Sequence, residues 1–166
     1  MSLSRLGFIL VPVLAAGLGY VFWQSLPQGD VDFAPAPGID LAAADQAMLQ
    51  RGREVYQAHC LACHGAQLEG QPNWRERRVD GRLPAPPHDA SGHTWHHPDA
   101  QLFALTKYGI GPVAGIPDYP SDMPAYNGIL SDADIVAVLS WIKSQWPPEV
   151  RAHHDRINQQ AAEATR

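Results

Sequence analysis

Lysine is almost missing from this chain: Lys107 and Lys143 are the only two among its 166 residues. Lys and Arg together number 12 against 17 acids, so the formal net charge is −5. That mild acidity offers no sustained basic field, which argues against nucleic acid as a partner and leaves any charge-guided docking to arginines or acidic groups. Cysteine is limited to Cys60 and Cys63. A structural zinc takes four ligands, and no second cysteine pair exists to complete such a site. Alternating apolar and polar runs that would mark strands do not occur, while 14 Gly and 15 Pro are scattered without a repeat period. The expectation is one loop-rich domain of short helices with some tail and linker.

Charge is also missing from Leu6 to Trp23, LGFILVPVLAAGLGYVFW. At about 1.5 Å rise per residue this run reaches about 27 Å, close to a hydrocarbon core of about 30 Å. A cleaved signal peptide is the alternative, with Val13, Ala15 and Ala16 as an internal cleavage option, but signal cores run about 7–15 residues. Tyr20, Phe22 and Trp23 instead resemble an interfacial aromatic belt. Residues 1–23 are therefore expected to form a retained, single-pass anchor. Arg5 is the only charge before the run, so the positive-inside rule puts the remainder outside a bacterial inner membrane, facing the periplasm. Residues 24–44, with Pro27, Pro35 and Pro37, read as a semi-extended linker.

From Asp45 to His59 an acid at the start, good helix formers and Met48, Leu49, Val55 and Tyr56 on overlapping turns predict a helix running into the cysteines. Residues 66–98 lack periodicity, and a loop this long is expected to cover a ligand. Asp99 to Tyr108 predicts a short helix stopped by Gly109, and Ile110 to Leu130 a second, proline-stiffened loop. Ser131-Asp132-Ala133-Asp134 opens a last helix in the manner of a capping box. Its stripe is Ile135, Val138, Leu139, Ile142 and Trp146, and Pro147-Pro148 ends it. Residues 148–166 read as a polar, peripheral or frayed tail.

The motif Cys60-Leu61-Ala62-Cys63-His64 admits three chemistries. Zinc would have to recruit His88, His93, His96 or His97. A thioredoxin-like pair should follow a strand, and here a helix precedes it. Covalent c-type haem matches every position: two thioethers to the vinyl groups tether the porphyrin while the turn presents His64 to the iron. A neutral His64 imidazole should then donate its other ring N–H to a backbone carbonyl, with Pro84, Pro86 and Pro87 bounding the candidates and Pro72 competing. A sixth ligand is expected from Met or His. Met1 is expected on the far side of the membrane and Met48 lies on the helix entering the motif, which leaves Met123 in the Ser121–Tyr126 loop. A methionine filling a core gap is the alternative reading of Met123.

GREVYQAHCLACHG, the SDMPAY loop and DADIVAVLSWIK together resemble the membrane-anchored bacterial class I cytochromes c, over residues 45–147. The resemblance implies an all-α fold, three main helices and loops around one covalent haem c, with Cys60, Cys63, His64 and Met123 as its protein ligands. It implies that Gly52 admits Trp141 to close approach, with Tyr56 beside it. It also implies a one-electron carrier rather than an enzyme. Its partners would be membrane-bound redox complexes, a quinol-oxidising complex or dehydrogenase as donor and a terminal oxidase as acceptor. Asn73 to His97 departs from the family pattern in length and in its His and Arg content. His88, His93, His96 and His97 there read as a polar loop at the haem edge, with Trp74 or Trp95 on the propionates, or as a copper-handling module. Arg75, Arg77, Arg78 and Arg82 read as a solvated face, or as partners of propionates or an acidic protein. A haem-based ligand sensor or peroxidase-like protein is the remaining alternative, and it would need an open sixth position.

Overall fold

The computed structural model describes residues 38–41, 44–116 and 118–164. The anchor expected over residues 1–23 and most of the linker lie outside these residues. Among the described residues, no helix is long and apolar enough to cross a membrane. Helices account for all the regular elements described, and no strand is among them.

Helix α1, Gln46–His59, starts where Asp45 accepts from the Met48 N–H at 2.8 Å, a side-chain cap for one of the donors that every helix start leaves unpaired. The one-turn helix α2, Leu61–His64, follows directly. A 3-10 turn, Thr94–His96, precedes α3, Asp99–Tyr108, which Gly109 stops at φ +87° as the sequence predicts. Ile110–Ala114 forms a further short helix, α4, inside what the sequence presents as loop. Pro112 does not prevent it, because the N–H that proline lacks has no intrahelical partner in a first turn. Helix α5, Asp132–Ser144, is capped by Ser131, whose hydroxyl accepts from Asp134 N at 3.1 Å. The same hydroxyl donates to the Asp134 carboxylate at 2.9 Å, so the shorter Asp reaches the cap side chain where the Glu or Gln of a full box would reach the cap backbone N–H.

Helices α1 and α5 make the most extensive helix contact. Val55 and Tyr56 meet Ile135, Val138 and Ile142 in a continuous buried core. The contact depends on Gly52: a Cβ there would lie 2.1 Å from the Ala137 carbonyl oxygen and 2.8 Å from Trp141 Cβ. Tyr56 and Trp141 meet at a tilt of 45° beside the crossing, centroids 4.8 Å apart. The close approach expected of Gly52, Trp141 and Tyr56 is what the structure holds.

The C-terminal region differs from its sequence reading. The apolar stripe of α5 stops before Trp146, which lies past the helix end and is buried in its own right. Pro148–Ala164, read as a frayed tail, forms a 17-residue helix, α6. Pro148 starts it, where its fixed φ suits a first helical turn. The face that α6 buries is polar, which is why hydrophobic periodicity does not reveal it. His154 is fully buried and donates from Nε2 to the His97 carbonyl at 2.9 Å, and the Asn158 side chain accepts from the Asp99 N–H at 2.7 Å. Asp155 pairs with buried Lys143 at 2.7 Å. Asp99 joins these groups to the segment before α1, accepting from the Leu41 N–H at 2.9 Å with His154 Nε2 at 3.4 Å.

Candidate haem site

Helix α1 delivers its last turn into the motif, and the Cys60 carbonyl accepts from both Cys63 N (3.1 Å) and His64 N (2.9 Å). This tight turn brings two thiols and one imidazole, at i, i+3 and i+4, to one side of a single helical segment. The cysteines form no disulfide; Cys60 is half-buried and Cys63 exposed. Burial, with Cys63 beside it, pushes the Cys60 thiol up to about 11. His64 is buried, and its Nδ1–H donates to the Pro86 carbonyl at 2.9 Å. A carbonyl only accepts, so this bond fixes the tautomer and leaves Nε2 with a lone pair for a metal. Burial, opposed by that bond, lowers the His64 pKa and favours the neutral ring. Pro86 is among the carbonyls the sequence singles out; Pro72 does not compete.

Two tyrosines tie this turn to the rest of the molecule. Tyr56 donates to the Gly65 carbonyl at 2.7 Å, just past the motif, and Tyr126 to the His59 carbonyl at 2.8 Å, just before it. Burial raises both hydroxyls, Tyr126 to about 12, so each remains a donor. Tyr126 thereby links the motif to the Met123 loop. Met123 itself is half-buried against the core cluster, and its N–H donates to Ser121 Oγ at 3.0 Å. Asp122, directly before it, is gripped by Arg78 and by Arg82, the latter at 3.1 Å, and both arginines also pair with Asp80. Arg78 and Arg82 therefore brace the methionine loop, a use that arginine content alone does not reveal. Arg75 lies on the Trp74 ring at 4.0 Å and Arg77 over Tyr119 at 5.5 Å.

The four clustered histidines separate. His93 stacks on Trp74 (5.2 Å), His96 on Trp95 (3.7 Å), and His97 meets His93 edge-on at 5.6 Å. The Trp95 indole N–H donates to the Ala90 carbonyl at 3.3 Å. Among the described residues no group of three or more His, Cys, Asp or Glu is placed to hold a metal ion. The copper module therefore has no assembled ligand set there. His88 goes inward and lies flat against His64, ring centroids 3.9 Å apart and planes 23° apart.

The donor set fits a porphyrin iron: two thiols for thioether bonds, and a buried imidazole whose free nitrogen is fixed by its tautomer. Such a turn inside a small helical domain defines a protein of the covalent-haem class. The family model for cytochrome c matches residues 49–146, more than half of the chain, and the protein belongs to that family. It carries covalently attached c-type haem with its iron, and it is a haem-based electron carrier. Comparison with curated proteins and with solved structures returns no match.

Proposed function

We propose that this protein is a single-haem electron carrier with His64 and Met123 as axial ligands and Cys60 and Cys63 as thioether anchors, serving membrane-bound redox complexes. The haem supplies a one-electron Fe(III)/Fe(II) couple; the chain supplies attachment, orientation and exclusion of water. The observation that carries the reading is the His64 Nδ1–H bond to Pro86, because it presents Nε2 as a fixed, neutral ligand atom. Support for Met123 comes from its loop, braced at Asp122 by two arginines and at Tyr126 by the carbonyl preceding the motif. A thioether ligand favours the reduced iron and raises the potential relative to a second imidazole. Electron transfer asks for little rearrangement, and ligands held on braced loops meet that demand.

The run over residues 6–23 supports a retained anchor that would hold the haem domain at the periplasmic face of a bacterial inner membrane. A quinol-oxidising complex or dehydrogenase would then be the donor and a terminal oxidase the acceptor, reached through the linker of residues 24–44 at a raised effective concentration. No substrate is turned over in this reading.

Met123→Ala is the direct test of the sixth ligand. In the oxidised holoprotein the Met-to-iron band at the red end of the spectrum should vanish. The potential should fall by on the order of 100 mV, within the roughly 0.8 V range that axial ligands span. A ferric spectrum unchanged by the substitution would exclude Met123 and favour a ligand-binding protein with an open sixth position.

A further inference from the structure

The fold brings against His64 a residue that a haem-attachment motif does not call for. His64 is held at its edge by the Pro86 carbonyl, and one face of its ring is covered by the ring of His88 at 3.9 Å between centroids. A flat neighbour at this distance opposes rotation of the covered ring about Cβ–Cγ.

His88 is itself fixed from several directions. Thr94 Oγ1 shares a hydrogen bond with His88 Nδ1 at 2.8 Å and lies 3.4 Å from the Pro87 carbonyl oxygen. The His88 N–H donates to the Leu68 carbonyl at 2.8 Å, and its carbonyl accepts from the Trp146 indole at 2.7 Å. The turn that carries it leaves no slack, since a Cβ on Gly92 would meet the Pro87 oxygen at 2.0 Å. Thr94 opens the 3-10 turn and Trp146 follows the end of α5, so two separate parts of the fold converge on one residue, Thr94 on its ring and Trp146 on its backbone carbonyl. An aliphatic side chain would fill the volume with fewer demands. A ring with two polar atoms, one of them directed by a buried threonine, is the costlier choice beside a metal ligand.

We propose that His88 is a positioning residue for the axial imidazole, fixing the plane of His64 relative to the haem and lowering the potential by keeping a polar group beside the ligand. It rests on the reading that His64 ligates the iron. Orientation follows from the stack, because a ring clamped at one edge and one face has a single rotational setting. The redox effect follows from local polarity, because a more polar surrounding stabilises the cationic Fe(III) porphyrin core over the neutral Fe(II) one.

The test uses the haem-loaded full chain and compares His88→Leu, His88→Phe and Thr94→Val with wild type by ferric electron paramagnetic resonance and by redox titration. His88→Leu should broaden and shift the g-values and move the Fe(III)/Fe(II) equilibrium at least about threefold toward Fe(II), about 28 mV upward at 59 mV per tenfold. His88→Phe restores the stack without the polar atoms, so its g-values should stay near wild type while its potential rises. Thr94→Val keeps His88 but removes the hydrogen-bond partner of its ring, and should shift the g-values in the same sense as His88→Leu by a smaller amount. That variant also preserves the test if His88→Leu does not fold. Wild-type g-values and potential in Thr94→Val and in every His88 variant that folds would overturn the positioning role. A wild-type protein whose ferric signal shows no histidine ligand would overturn the His64 reading beneath it, a distinct result.

Discussion

Gly52→Ala is expected to destabilise the haem domain by about 3 kcal/mol or more, despite replacing the poorest helix former but proline with the best. The two effects have opposite signs, which makes the result diagnostic. In the interior of an isolated helix the exchange would stabilise by roughly 1 kcal/mol. In this fold the added carbon lands 2.1 Å from the Ala137 carbonyl oxygen and 2.6 Å from its carbon. Both are backbone atoms, so no side-chain rotation relieves the overlap and α1 must move off α5. That movement opens the contact between Val55, Tyr56 and the buried face of α5 and pulls Tyr56 from Trp141. Tyr56 also holds the Gly65 carbonyl, so the strain reaches the haem-binding turn. Denaturant unfolding of the holoprotein would show a lower midpoint with little change in slope. A variant as stable as wild type would mean that α1 and α5 lie further apart than described.

Asp99→Ala is the second substitution with a large expected cost, about 3 kcal/mol. Asp99 is a buried carboxylate that accepts from the Leu41 N–H and lies 3.9 Å from Lys143 and 3.4 Å from His154. Alanine leaves the Leu41 donor unpaired and deprives the buried Lys143 ammonium of one of its two acids. The segment before α1 would lose its tie to α3, and α6 would lose part of its seat. Asp99→Asn keeps an acceptor for Leu41 and should cost less than half as much. Equal, small losses for both variants in thermal or denaturant unfolding would show that neither the charge nor the hydrogen bond matters there.

Where the sequence foretells the structure, a local rule and a tertiary demand agree. The CxxCH turn, the Gly52 approach and the Pro86 carbonyl are each tied to a fixed spacing or to a residue with one geometric use. Helices α1, α3 and α5 carry caps and apolar stripes that belong to their period. Helix α6 was not legible because Val150, His154 and Asn158, at i, i+4 and i+8, form a seam whose bonds are polar. His88 and the Arg78, Arg82 and Asp122 brace were not legible for a related reason. A loop of His and Arg reads as solvated until the fold shows which imidazole stacks on His64 and which guanidinium meets Asp122. The advance signal was the departure of residues 73–97 from the family pattern, in length and in His and Arg content.

Covalent attachment of haem through Cys60 and Cys63 is the claim on which the rest depends. It is tested most directly by a pyridine haemochrome spectrum of the full chain, purified from a host competent in cytochrome maturation, beside the Cys60→Ser/Cys63→Ser double variant. The wild-type chain should hold one haem per polypeptide that acidified acetone does not extract, and the double variant none. Extractable haem, or equal haem in both proteins, would contradict it.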